Sequence, residues 1–192
     1  HRWSQQGEKM RWICGIDPGL RTFACVWIQV WGEAQRRFHV AREWISNGKP
    51  LHLNAKLVAQ ERRKITGAGT AVEDLGVAAV YCDIAARQHN SHSGMSDSDL
   101  LRGAGLPIKF QPQYIEEGVR MIEQLLTPAD GEAWVTEAGT SGEPFLTVDP
   151  GCVNLLAGFA HYKRNRLTGA PIKDGIHDHI MDALRYAVVG AL

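Results

Sequence analysis

Apolar positions along the chain fall into two patterns, a period near two in the first quarter and helical spacing further on. Residues 11–17 read as a short strand and 22–31, "TFACVWIQVW", as a longer one. "GEAQ" offers a turn before 36–45, "RRFHVAREWI", which alternates loosely. Three consecutive strands on short links predict an antiparallel meander. "NGKP" breaks that pattern, and "LHLNAKLVAQERRKI" follows as a helix with Pro50 near its start and "TGAG" at its end. "GVAAVYCD" (76–83) is almost continuously apolar, as expected of a central strand buried on both faces.

The second half mixes the two periods. Residues 84–105 form a polar, Gly/Ser-rich loop leading into a short helix, and "LPIKFQP" is a fifth strand. "QYIEEGVRMIEQLL" places Ile115, Val119, Ile122 and Leu126 on one helical face. "AWVTEAGTSGEPFLTV" reads as a small extra β-hairpin, "CVNLLAGFAHYKR" as a helix and "HDHIMDALRYAVVGAL" as a last helix. Strands first, then strands and helices mixed, predict an α/β domain with a mixed five-stranded sheet: a meander plus parallel strands, flanked by helices.

Composition narrows the function classes. With 192 residues the chain suits one domain, and the first ten residues read as a linker remnant ahead of a domain over 11–192. The formal net charge is zero, so no global basic field points to nucleic acid. Local basic clusters (Arg36-Arg37, Arg62-Arg63-Lys64 and Lys163 to Arg166) suit solvated helix ends and turns. Cys14, Cys25, Cys82 and Cys152 make no C-x-x-C pair and fit buried free thiols. No run approaches the roughly 18 apolar residues of a membrane span.

The chemistry lies in aspartates placed at element ends. "GIDPG" puts Asp17 at the end of the first strand, where Asp17-Pro18-Gly19-Leu20 suits a type II turn with Gly19 at positive φ. Asp83 ends the fourth strand. On the last helix Asp178, Asp182 and Arg185 sit opposite the apolar stripe; Asp178 could cap the helix and Asp182 pair with Arg185 on a wet surface. If the two strands are neighbours, Asp17 and Asp83 project from one rim, and the helix can add Asp182. No lysine or arginine adjoins these acids in the local motifs, so they are expected to repel without a cation. Oxygen ligands lacking thiolate suit Mg²⁺ or Mn²⁺, and such a cluster can hold two ions for phosphodiester hydrolysis.

Aspartates ending strands one and four, with another on the last helix, resemble the ribonuclease H-like plan. The finer pattern resembles the nuclease domain of the large terminase subunit of tailed phages. It is carried by "GIDPG", "AAVYCDIAARQ", "AGLPIKFQPQ", "FLTVDPGC" and above all "DHIMDALRYAV", in family order. The resemblance implies a metal-dependent endonuclease cutting double-stranded concatemeric DNA with two Mg²⁺ or Mn²⁺ ions. It makes Asp17, Asp83 and Asp182 the catalytic metal ligands, with Asp178 a further candidate. His179 matches a histidine flanking the site. It also implies an ATPase domain, a small terminase subunit and a portal as partners, in the cytoplasm of an infected host cell, with no membrane involved. No G-x-x-x-x-G-K-[ST] occurs, so the ATPase is not in this chain.

Three other classes share pieces of the pattern. Holliday-junction resolvases of the RuvC type also carry Ile-Asp-Pro-Gly on their first strand, but have glutamate where Asp83 stands here. Sugar kinases and actin-like ATPases share "GID-x-G" but need a duplicated domain. A catalytically dead, DNA-binding ribonuclease H-like module would not need all three acids. His89 and His92 have a spacing that zinc sites use but no cysteine beside them. His177 and His179 are expected at the surface of a helix start. DNA-contacting residues are not legible.

Overall fold

The computed structural model describes residues 10–19, 21–32, 36–66, 77–89, 94–110, 115–127, 144–163, 165 and 171–192. Strands β1 (Arg11–Pro18), β2 (Thr22–Trp31) and β3 (Arg37–Asn47) form the expected meander. Helix α1 (Leu51–Thr66) follows, then β4 (Val77–Cys82), a 3₁₀ turn (Ile84–Arg87), α2 (Asp97–Gly103) and β5 (Ile108–Phe110). Helix α3 (Ile115–Leu126), strand β6 (Leu146–Val148), α4 (Val153–His161) and α5 (Asp178–Ala191) complete the order.

Among the described residues the sheet has six strands, ordered β5-β4-β1-β2-β3-β6. β4 runs parallel to β1, and β5 parallel to β4. The sixth strand is an addition to the predicted five. It ends the stretch read as a hairpin, but it joins β3 in parallel instead of pairing locally. Residues 128–143, which hold the rest of that hairpin, lie outside the described residues.

Strand alternation assigns each side chain to one of two cores. On β2, Ala24, Val26, Ile28 and Val30 face α5, whereas Phe23, Cys25 and Trp27 face α1 and α2. The same period places Ile13 on β1, and Ala79 and Tyr81 on β4, on the α5 side. Continued along β1 through Gly15 and along β4 past Tyr81, it delivers Asp17 and Asp83 to the rim beside α5. All four cysteines are buried and free, as the sequence suggested.

Glycines set how closely α5 approaches the sheet. A Cβ at Gly15 would lie 1.9 Å from the Ala183 carbonyl oxygen, so only glycine lets α5 cross β1 there. α3 passes over α5 in the same way, since a Cβ at Gly118 would lie 2.7 Å from Arg185 Cδ. α4 is anchored by Glu43 of β3, whose carboxylate accepts from the Asn154 and Leu155 amides, each at 2.8 Å. Covered by sheet, α3 and α4, α5 is buried on nearly every side. That corrects the amphipathic reading: Asp178, Asp182 and Arg185 are buried, not on a wet face. Among the described residues no helix is long and apolar enough to cross a membrane.

Candidate active site

"GIDPG" forms no type II turn. Pro18 still belongs to β1, and Gly19 is not among the glycines at positive φ; Leu20 lies outside the described residues. Gly19 serves close approach instead, because a Cβ there would sit 2.8 Å from His179 Cε1 and 2.5 Å from the Thr22 carbonyl oxygen. Room is thereby left for the His179 ring, whose Nδ1 lies 2.7 Å from Asp17 Oδ2 and donates to it. His179 is therefore half-buried and engaged, not simply solvent-exposed.

Asp83 follows β4 and caps the 3₁₀ turn, its Oδ1 accepting the Ala85 amide at 2.8 Å. Its other oxygen accepts the Tyr186 hydroxyl at 3.0 Å. Asp182, 8% exposed, takes Arg185 Nη2 on Oδ1 at 2.7 Å and Lys173 Nζ on Oδ2 at 3.4 Å. Thus α5 sends one side chain to each predicted ligand: His179 to Asp17, Tyr186 to Asp83 and Arg185 to Asp182. Residues 179, 182 and 186 fall on one helical face, which meets the rim.

The expectation of acids without neighbouring cations is corrected here. Arg185, 3% exposed, is a buried partner of Asp182, and Lys173, 63% exposed on its side chain, is a second. The loop bearing Lys173 is hooked to α5 by Asp174, which accepts the Ile176 and His177 amides at 2.8 and 2.7 Å. Sequence reasoning missed Lys173 and Tyr186. Only the proximity of Tyr186 to Asp182 by one helical turn could have signalled it.

Electrostatics links Asp17 to Asp182 and all three acids to Tyr186. Burial raises the Asp17 carboxyl above the ordinary carboxylate range; the His179 bond opposes this and the charge of Asp182 adds to it. The bond to Asp17 in turn raises His179, against burial. Tyr186 is pushed far up by burial first and then by Asp182 and Asp17, with Asp83 adding to the effect. All three acids therefore act on one phenol.

Protein donors occupy most of these oxygens, and among the described residues no three such side chains converge closely enough to hold one ion. The donor set nevertheless fits a hard divalent cation. It is all carboxylate oxygen, and Asp178, 9% exposed, holds a buried Oδ1 with no hydrogen-bond partner among the described residues. Among the described residues Asp182 Oδ2 carries the long contact from mostly exposed Lys173, which a cation can displace far more cheaply than buried Arg185. Of the two histidines at zinc-like spacing, His89 Nε2 lies 4.0 Å from Asp99 Oδ2, and His92 is outside the described residues.

A parallel β4 beside an antiparallel β1–β2–β3 meander, with a buried helix delivering side chains to the rim, decides the class. The fold is ribonuclease H-like. No family model matches the chain, and no curated protein matches it. Among solved structures, the large terminase of bacteriophage HK97 aligns over 99% of this chain at 13% identity, with a TM-score of 0.54. The chain spans 42% of that terminase's length. Thermus thermophilus RuvC aligns over 94% of this chain and 93% of its own, at 15% identity and a TM-score of 0.42. The manganese-soaked nuclease domain of human cytomegalovirus terminase aligns over 97% and 85%, at 8% identity and a TM-score of 0.45. At these identities the likeness is one of fold.

Proposed function

We propose that this chain is the nuclease domain of a DNA-packaging terminase, a metal-dependent endonuclease that hydrolyses phosphodiesters of double-stranded DNA. One observation carries the reading: α5 gathers Asp17, Asp83 and Asp182 at a single rim and holds each by its own side chain. The ribonuclease H-like fold shared with the HK97 large terminase supports it. Residues 11–192 would form the nuclease domain, with 1–10 a linker remnant. It would act with an ATPase motor, a small terminase subunit and a portal, in the cytoplasm of an infected cell.

Asp17, Asp83 and Asp182 would hold two divalent cations, with Asp178 Oδ1 as a further oxygen. When bound, Mg²⁺ or Mn²⁺ would supply Lewis-acid activation of water and stabilise the leaving oxygen. The protein's own residues prepare that chemistry. His179 donates to one oxygen of Asp17 and leaves the other available to a cation. Arg185 keeps Asp182 oriented through Oδ1, and Oδ2, under the longer 3.4 Å contact from Lys173, would be the oxygen open to a cation. The exposed Lys173 ammonium would then be free to meet a phosphate.

The test is incubation of the purified protein with plasmid DNA and Mg²⁺ or Mn²⁺, with and without EDTA. Nicked and linear products are expected only with metal. Asp17→Asn, Asp83→Asn or Asp182→Asn should each lower the rate at least about 100-fold. Asp178→Asn and His179→Ala should lower it less. Cleavage that survives EDTA, or survives Asp83→Asn, would overturn the proposal. Cutting confined to four-way junctions would favour a resolvase instead.

A further inference from the structure

Tyr186 is 4% exposed and packs within the α5-side core, where a phenylalanine would fill the same space. A buried hydroxyl must find a partner or lose its hydration uncompensated. This one donates to Asp83, the acid that lies just past the end of β4. β4 ends at Cys82, so Asp83 has left the ladder, and besides Tyr186 its carboxylate has the Ala85 amide. Together the amide and the phenol take one oxygen each, which restrains both side-chain torsions and leaves a lone pair on each oxygen for a cation.

The preceding residue completes the arrangement. The Arg185 guanidinium lies over the Tyr186 ring, 4.7 Å from its centroid, and donates to Asp182. A continuous series of contacts therefore runs from Asp83 through Tyr186 and Arg185 to Asp182. Both central members come from one turn of α5, seated by Gly15 against β1 and covered at Gly118 by α3. Neither strand end nor helix could set the separation of the two acids alone, because they belong to different elements.

We infer that Tyr186 is a positioning residue which, stacked on Arg185, holds Asp83 at a set distance from Asp182 for cation binding. The inference rests on the metal-dependent nuclease reading and adds to it a residue that touches no substrate. Tyr186→Phe removes the hydroxyl and keeps the ring, its packing and its stack with Arg185.

The experiment measures Mn²⁺ binding by calorimetry, plasmid cleavage across a Mn²⁺ titration, and Tm, for the wild-type chain and Tyr186→Phe. The expected result is Mn²⁺ affinity weaker by about tenfold. Half-maximal cleavage should move to about tenfold higher Mn²⁺, the rate at saturating Mn²⁺ returning close to wild type. Tm should fall by no more than a few degrees. Arg185→Lys, which keeps the charge but loses the planar stack, should shift the Mn²⁺ dependence in the same direction. Wild-type Mn²⁺ affinity in Tyr186→Phe overturns the inference, and so does a loss of rate that saturating Mn²⁺ does not restore. If wild type itself neither binds Mn²⁺ nor cuts DNA, the nuclease reading falls first and the inference with it.

Discussion

The two faces of the sheet bury polar groups in opposite ways. On the side of α1 and α2 they are mostly neutral, and the bonds that finish the helix ends are local. Ser96 caps α2 through the Asp99 amide at 3.1 Å, and Asn54 donates to the Lys49 carbonyl at 3.2 Å. On the α5 side they are charged: Asp182 pairs within α5 with Arg185, and two half-buried acids find partners in distant sequence. Asp17 meets His179 and Asp83 meets Tyr186, pairs separated by 162 and 103 residues. Local caps finish helix ends, and any α/β protein needs them. Long-range buried charge stabilises little by itself and is weak evidence for a purely structural purpose. The contrast sets the α5 face apart, as the proposed site on that face requires.

The sharpest way to break this contrast is to strip one charge from the α5 face. Arg185→Ala leaves Asp182 largely buried with only the exposed Lys173 to compensate it, and should lower stability by about 3 kcal/mol in urea unfolding. Combining it with Asp182→Asn should restore much of that loss, because the uncompensated charge is gone. A loss under about 0.5 kcal/mol in the single variant would place the pair among surface ion pairs and remove the contrast.

The same small substitution on each side gives a second comparison. Gly15→Ala drives a methyl into the Ala183 carbonyl, a backbone atom that cannot step aside, and should cost about 2 kcal/mol. It should also depress cleavage, since α5 must shift away from the rim. Gly103→Ala at the end of α2 meets nothing within 4 Å and has ordinary backbone torsions. It should raise stability by about 0.5 kcal/mol through the unfolded chain. Equal effects at the two sites would mean that α5 is not seated by glycine.

These comparisons also show what the sequence could express. Alternation in "TFACVWIQVW" and the apolar run of "GVAAVYCD" are local, so β2, β4 and the strand-end positions of Asp17 and Asp83 were legible. The three-residue β6 was not, because its pairing with Phe38–Val40 lies across more than 100 residues. Helical spacing placed Asp178, Asp182 and Arg185 on one side of α5 but could not say that α3 and α4 cover that side. Gly19 shows the same limit. A glycine after proline reads as a turn, and only the neighbouring His179 reveals that it serves close approach.

The smallest expected effect is a pH dependence on the side away from α5. His39 on β3 is 4% exposed, with Nδ1 2.9 Å from Thr147 Oγ1 on β6. Burial holds its pKa below the ordinary value of 6.5, against an opposing pull from Asp149. A histidine depressed in the folded state takes up its proton more readily when unfolded. Its contribution is therefore complete above pH 6.5 and is lost as pH falls from there through the lower folded value. Urea unfolding at pH 7.5, 6.5 and 5.5 should show wild type losing stability over the lower interval, by at most about 1.4 kcal/mol per pH unit from this group. His39→Gln should flatten that part of the profile, while the titrations of the remaining histidines stay common to both proteins. An unchanged slope in the variant would show that His39 does not carry the acid sensitivity, and the α5 side could not supply it through Asp17 and His179, whose raised pKa values favour the fold at low pH. His39 would then be a packed ring whose charge state does not matter to the fold.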